Sequence, residues 1–169
     1  SDLENIEFEK VGKIEAFNTD GLRSLIETMK HIPNMKEKTL RYPGHTALIQ
    51  EYINKGMFSK DNIERTSKEL FKTWKLRDEE KEFTLLKIIF ESDTDIIKYS
   101  LYDEYDTVNK NSSMARTTGF TATASINLLL NNFFTKKGVF PPEVIGANKS
   151  CVDFITSYLK DRGVLLRKV

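Results

Sequence analysis

Two short apolar–polar alternations open the chain. Ile6-Glu7-Phe8-Glu9 and Lys13-Ile14-Glu15-Ala16-Phe17 repeat every second residue on either side of Gly12, the pattern of a hairpin with one solvated face. The period then lengthens: Leu22, Leu25, Ile26 and Met29 fall at helical spacing, with Thr19 or Asp20 placed to cap the helix and Pro33 to stop it. Met35 to Tyr42 reads as extended, since Pro43 disfavours the helical region for the residue before it. Gly44-His45 opens a helix through Ala47, Leu48, Ile49, Tyr52 and Ile53 that Gly56 ends. Residues 61–76 form a charged helix with Ile63, Leu70, Phe71 and Trp74 as its buried stripe.

The two strongest strand signals follow. Phe83 to Phe90 is apolar on both faces, as in a central strand, and Ile96 to Tyr102 alternates. Ser92-Asp93-Thr94-Asp95 between them supplies turn chemistry. A long helix is predicted from about Ser113 to Phe134, apolar at Ala122, Ile126, Leu129, Leu130 and Phe133, and broken by Gly138-Val139-Phe140-Pro141-Pro142. A last helix near Lys149–Arg162 ends at Gly163, and Val164-Leu165-Leu166 closes the chain as a short strand. The sum is an α+β fold: a mixed, largely antiparallel sheet with helices packed on one face, in a single domain over 1–169.

Composition narrows the function. With 26 Lys+Arg against 25 Asp+Glu the net charge is +1, which argues against a nucleic-acid partner, because binding phosphates calls for a basic excess. Cys151 is alone, so neither a disulfide framework nor a multi-Cys zinc site is possible, and His31 and His45 are too few for a His-based metal centre. No apolar run approaches the roughly 20 residues of a membrane span. The start at Ser1-Asp2-Leu3-Glu4 has no signal-peptide character. The expectation is a cytoplasmic protein with no metal and no membrane partner.

Three segments stand apart: Asn18-Thr19-Asp20-Gly21-Leu22-Arg23-Ser24, Thr39-Leu40-Arg41-Tyr42-Pro43-Gly44-His45 and Met114-Ala115-Arg116-Thr117-Thr118-Gly119-Phe120. Each joins small hydroxyl or amide side chains to an arginine at a strand–helix junction, where backbone N–H groups and a positive dipole end are presented. Together they would bind a ligand with several carboxylates and amines. Separately they are three capped turns with solvated arginines, and the residue types alone allow both.

The same three segments resemble, in order, the later half of saccharopine dehydrogenases and their carboxynorspermidine and lysine dehydrogenase relatives. The resemblance runs through Thr19-Asp20-Gly21-Leu22-Arg23, Thr39 to His45 and Thr117-Thr118-Gly119, with Gly138-Val139-Phe140-Pro141-Pro142-Glu143 similar to the family's "GV-x-PPE" stretch. It implies an NAD(P)-dependent oxidoreductase acting on a secondary amine that joins two amino-acid-like halves. Oxidation to an imine and hydrolysis release lysine and a keto acid or aldehyde. It further implies an amino-terminal Rossmann domain followed by a substrate-binding, dimerising α/β domain, the latter corresponding to this chain. The eight glycines, at 12, 21, 44, 56, 119, 138, 146 and 163, make no G-x-G-x-x-G, so NAD or NADP would not be held here. The family's acid–base and cysteine positions lie upstream of these motifs. The expectation is a fragment beginning at Ser1, without catalytic residues of its own and inactive alone.

On this reading Asn18, Thr19, Asp20, Arg23, Arg41, Tyr42 and His45 bind substrate, while Thr117, Thr118 and Gly119 face the cofactor domain. Arg41, held beside Tyr42-Pro43-Gly44, is the leading candidate for a carboxylate clamp, against an ordinary strand arginine in a salt bridge. Asp20 either accepts from a substrate ammonium or caps a helix. His45 is either a neutral donor–acceptor, its pKa lowered by the dipole, or a capping residue. Residues from about 113 to 169 are expected to pack on the missing Rossmann unit, leaving Ile126, Leu130 and Phe133 uncovered in this chain, and the implied assembly is a homodimer. Lys75 to Glu82 is expected to be solvated or to form a loop near the subunit contact, and Cys151 to be a buried hydrophobe. The alternative is a stand-alone amino-acid-binding or oligomerisation module without activity.

Overall fold

The computed structural model describes residues 2–77 and 80–169; Asp78 and Glu79, in the stretch expected to be solvated, lie outside the described residues. Where the sequence reading drew one domain, the contacts gather into two compact units, Ser1–Arg77 and Asp78–Val169. Each holds one three-stranded antiparallel sheet, in the orders β1-β2-β3 and β4-β5-β6. The α+β class holds, and the single sheet resolves into two.

In the first unit, β1 (Glu4–Phe8) and β2 (Gly12–Asn18) make the expected hairpin, with Gly12 taking the positive φ of its turn. β3 (Lys38–Arg41) pairs antiparallel with β2. Ile14 and Ala16 point to one face and are buried. The helix expected from Leu22 is only one turn, α1 (Leu25–Thr28). The Thr19 hydroxyl is taken by Glu37 and Thr39, Arg23 has φ +48°, and the helix begins only after Ser24. The capping role of Asp20 therefore fails. α2 (His45–Asn54) and α3 (Ile63–Trp74) match their predictions in extent. The stripe of α3 does not: Thr66 is its buried residue, its hydroxyl donating to Met57 O at 2.7 Å, while Phe71 is 77% exposed and Ile63 and Trp74 are also exposed. So small a unit cannot cover the whole stripe.

In the second unit, β4 (Phe83–Glu91) and β5 (Ile96–Glu104) pair over their whole lengths around the Ser92–Asp95 turn, where Ser92 N donates to Asp95 O at 2.9 Å. β6 (Leu166–Lys168) pairs with β5, so β5 is central and β4, read as central, is an edge. The closing strand starts later than expected because Val164 is buried, its N–H donating to Leu159 O. The long helix from Ser113 divides into a π turn (Ala115–Gly119) and α4 (Phe120–Leu130). Ala124 and Leu128 are its buried residues, in a helix that packs on α6 (Lys149–Lys160). Ile126, Leu130 and Phe133 are left exposed, as the sequence reading expected. The Pro141-Pro142 break carries a short helix that pattern reading missed, α5 (Pro142–Gly146), with proline in its first turn. Asn148 caps α6 by accepting from Ser150 N at 3.0 Å, and Cys151 is fully buried. Among the described residues no helix is long and apolar enough to cross a membrane.

Candidate functional site

Two of the three junctions meet on one face of the first sheet. Because paired residues share a face, the ladder pairs Glu15–Arg41 and Phe17–Thr39 place those four side chains together, opposite the buried Ile14 and Ala16. Thr39 extends the row to the first junction, with its hydroxyl 2.9 Å from that of Thr19. Glu37 organises that junction: its carboxylate accepts from the Thr19 hydroxyl and, at 3.1 Å, from Gly21 N. A Cβ on Gly21 would clash with Glu37 Cδ, so a larger residue there would push the Glu37 side chain aside. Asn18, Asp20 and Arg23 are exposed around it.

The second junction is built on Glu15. Its carboxylate accepts from Gly44 N at 2.7 Å, from Thr46 N at 3.1 Å and from the Thr46 hydroxyl at 2.8 Å, and so fills the positive N-terminus of α2. These bonds, the one from Gly44 first, hold its pKa below the ordinary carboxylate value. Gly44 turns the chain into α2 at φ +94°, which a side chain would strain. The consequence falls on Arg41. Although Glu15 lies opposite it in the ladder, the carboxylate is committed elsewhere. Arg41 donates to Leu40 O at 2.7 Å and makes no ion pair among the described residues. The strand salt bridge weighed as its ordinary role is absent there.

His45 is not a cap, since Glu15 serves that function. Its ring stacks on Phe17 with centroids 6.3 Å apart and meets the Trp74 ring at 5.8 Å. Burial first, and the nearby Arg41 cation second, lower its pKa below 6.5, partly opposed by Glu15. The neutral imidazole, one of the two roles the sequence left open, is favoured by desolvation and a neighbouring charge. Tyr42 is exposed beside this cluster. The arrangement offers an exposed guanidinium, a neutral imidazole and an aromatic wall on one sheet face, a set suited to an anionic ligand with an apolar stem.

The third junction lies in the second unit, where its arginine is consumed internally. Arg116 makes a bidentate contact to Asp103 at 3.2–3.3 Å, reaches Asp106 at 3.1 Å and donates to Arg162 O at 3.1 Å. Thr117 donates to Ser113 O, and Thr118 and Gly119 are exposed. A Cβ on Gly119 would meet nothing within 4 Å, so close packing is not what that glycine serves. Thr117 lines a cavity of about 730 Å³ within this unit, together with Leu86, Leu101, Leu166, Lys160 and Arg167. Sequence reasoning missed Glu15, Glu37 and Trp74 as site-builders. Their roles come from pairings between separate segments, which the sequence pattern did not show.

Residues 1–164 match the family model described as the saccharopine dehydrogenase C-terminal domain. Its members are in general NAD(P)-dependent dehydrogenases. The match takes in all three junctions and nearly the whole chain, which thus belongs to the saccharopine dehydrogenase C-terminal domain family.

Proposed function

We propose that this chain is the substrate-binding and dimerisation domain of an NAD(P)-dependent oxidoreductase acting on the CH–NH bond of a secondary amine that joins two amino-acid-like halves. The observation that carries the reading is Arg41, an exposed guanidinium without an ion pair among the described residues, beside a neutral His45 and the Phe17–Trp74 wall. A planar fork of donors matches a carboxylate, and the aromatic wall suits the aliphatic stem of an amino acid. Thr19, with Asn18, Asp20 and Arg23 around it, extends the row along which a second polar end of the ligand would lie. Thr117, Thr118 and Gly119 would face the cofactor-bearing part of the enzyme, and the exposed Ile126, Leu130 and Phe133 would pack on it.

The strand–glycine–helix corner of this chain does not fit a dinucleotide. It has one glycine, Gly44, and its amides hold the Glu15 carboxylate, which would repel a pyrophosphate. NAD or NADP would be held by residues outside this chain, and the chain alone would not turn over.

Calorimetric titration of the 169-residue chain with saccharopine and with lysine tests the reading. Measurable binding is expected, weakened about tenfold or more by Arg41→Gln, the usual scale for losing a charge-assisted contact. Equal titration curves for both proteins, or no heat from either, would overturn it.

A further inference from the structure

His45 stands at the first turn of α2, and the charges that act on it come from two strands: Arg41 on β3 and Glu15 on β2. The other groups against its ring are aromatic, Phe17 from β2 and Trp74 from α3. Glu15 accepts from Gly44 N and Thr46 N, one on each side of His45, and so fixes the backbone that carries the ring. The two charges differ in what they leave free. The Glu15 carboxylate also takes the Thr46 hydroxyl and stays with the positive end of α2. Arg41 donates to Leu40 O and makes no ion pair among the described residues. The half-buried imidazole therefore sits beside an unanswered cation, with two aromatic rings in place of part of its water. Both conditions favour its neutral form.

We infer that His45 is a conditional second cation of the Arg41 site: when a carboxylate settles on Arg41, the imidazole takes up a proton and joins the guanidinium in holding the anion. The inference rests on the carboxylate reading of Arg41 given above and adds its regulation. A bound carboxylate acts twice in one direction, since it cancels the charge that repels the proton and brings a negative charge of its own. Glu15 cannot stand in for the ligand, because α2 already holds its carboxylate. The proton comes from solvent, to which the half-buried ring and the exposed Arg41 and Tyr42 are open, and it adds to the unprotonated ring nitrogen. The bound protein then holds more protons than the free one. Affinity accordingly rises as pH falls through the range where the imidazole titrates, and levels off once the free protein is protonated as well. Each unit by which the ligand lifts the pKa corresponds to about tenfold in affinity.

Calorimetric titration of the 169-residue chain with saccharopine, repeated in buffers of different ionisation enthalpy, counts the protons taken up on binding. Uptake is expected between about pH 8 and about pH 5, with an affinity that rises severalfold on acidification. His45→Gln should abolish the buffer-dependent heat and the pH dependence of whatever affinity remains. Binding without proton uptake, or uptake that survives in His45→Gln, overturns the inference alone and leaves Arg41 as a carboxylate site. No binding of saccharopine overturns the reading on which the inference rests, and the inference with it. A second measurement needs no ligand. The chain holds two histidines, so proton NMR can follow each through its titration. Arg41→Gln, at an exposed position, should raise the pKa of His45 and leave that of His31 where it is. An unmoved His45 in that variant overturns the inference whether or not His45→Gln still binds.

Discussion

Replacing Arg116 by methionine tests the internal reading of the third junction. The guanidinium has 13% side-chain exposure and Asp103 only 4%. Both Asp103 oxygens face Arg116, at 3.2–3.3 Å. Methionine keeps most of the aliphatic packing but leaves the Asp103 carboxylate out of water without its cation. Breaking a buried pair in this way costs about 3–5 kcal/mol. Arg116 also reaches Asp106 at 3.1 Å, a carboxylate that Asn109 holds as well. Against a domain stability of roughly 5–15 kcal/mol, the loss should be plain in urea unfolding followed by far-UV circular dichroism. Adding Asp103→Asn to Arg116→Met removes the stranded charge, so the double variant should be less destabilised than the sum of the singles by about 1–3 kcal/mol. If Arg116→Met lies within about 1 kcal/mol of wild type, or the singles simply add, the arginine is not a structural tie and is again open to a ligand.

Two further outcomes separate burial and charge effects. Leu128, fully buried in α4, should lose about 2–5 kcal/mol on replacement by alanine, whereas Leu130, 74% exposed on the same helix, should lose less than about 0.5 kcal/mol; equal losses in urea titrations would mean that the wrong face has been read as core. Glu15 has a lowered folded pKa, so its contribution is complete above the ordinary carboxylate value and is lost as pH falls through the folded one. Glu15→Gln should remove that acid-side slope from the pH profile of thermal unfolding, and an unchanged profile would refute the capping role.

Periodicity and turn chemistry carried the reading wherever the controlling forces are local. The Gly12 hairpin, the start of α2 at Gly44-His45 and the Ser92–Asp95 turn depend on residues within a few positions of one another. The junction motifs were legible too, because family likeness is itself a property of the string. What the string left open was which charges find each other. Glu15 reaches 29 residues to Gly44, Glu37 reaches 18 to Thr19, and Arg116 reaches 13 to Asp103 and 46 to Arg162.

Those long-range bonds separated the Arg41 and Arg116 junctions, which look equivalent in sequence. Among the described residues Arg41 was left without an ion pair, because its ladder neighbour caps a helix. Arg116 was absorbed by two aspartates, and Arg23 went into a left-handed turn that shortened α1. The edge position of β4 is of the same kind: a strand apolar on both faces looks central until strand order sets β5 between β4 and β6. Local pattern therefore decided which elements form, since it acts through backbone preference and side-chain period. Folding decided which polar groups are spent on structure and which stay exposed, since a carboxylate's partner is chosen by distance in space and by the cost of leaving it unpaired out of water.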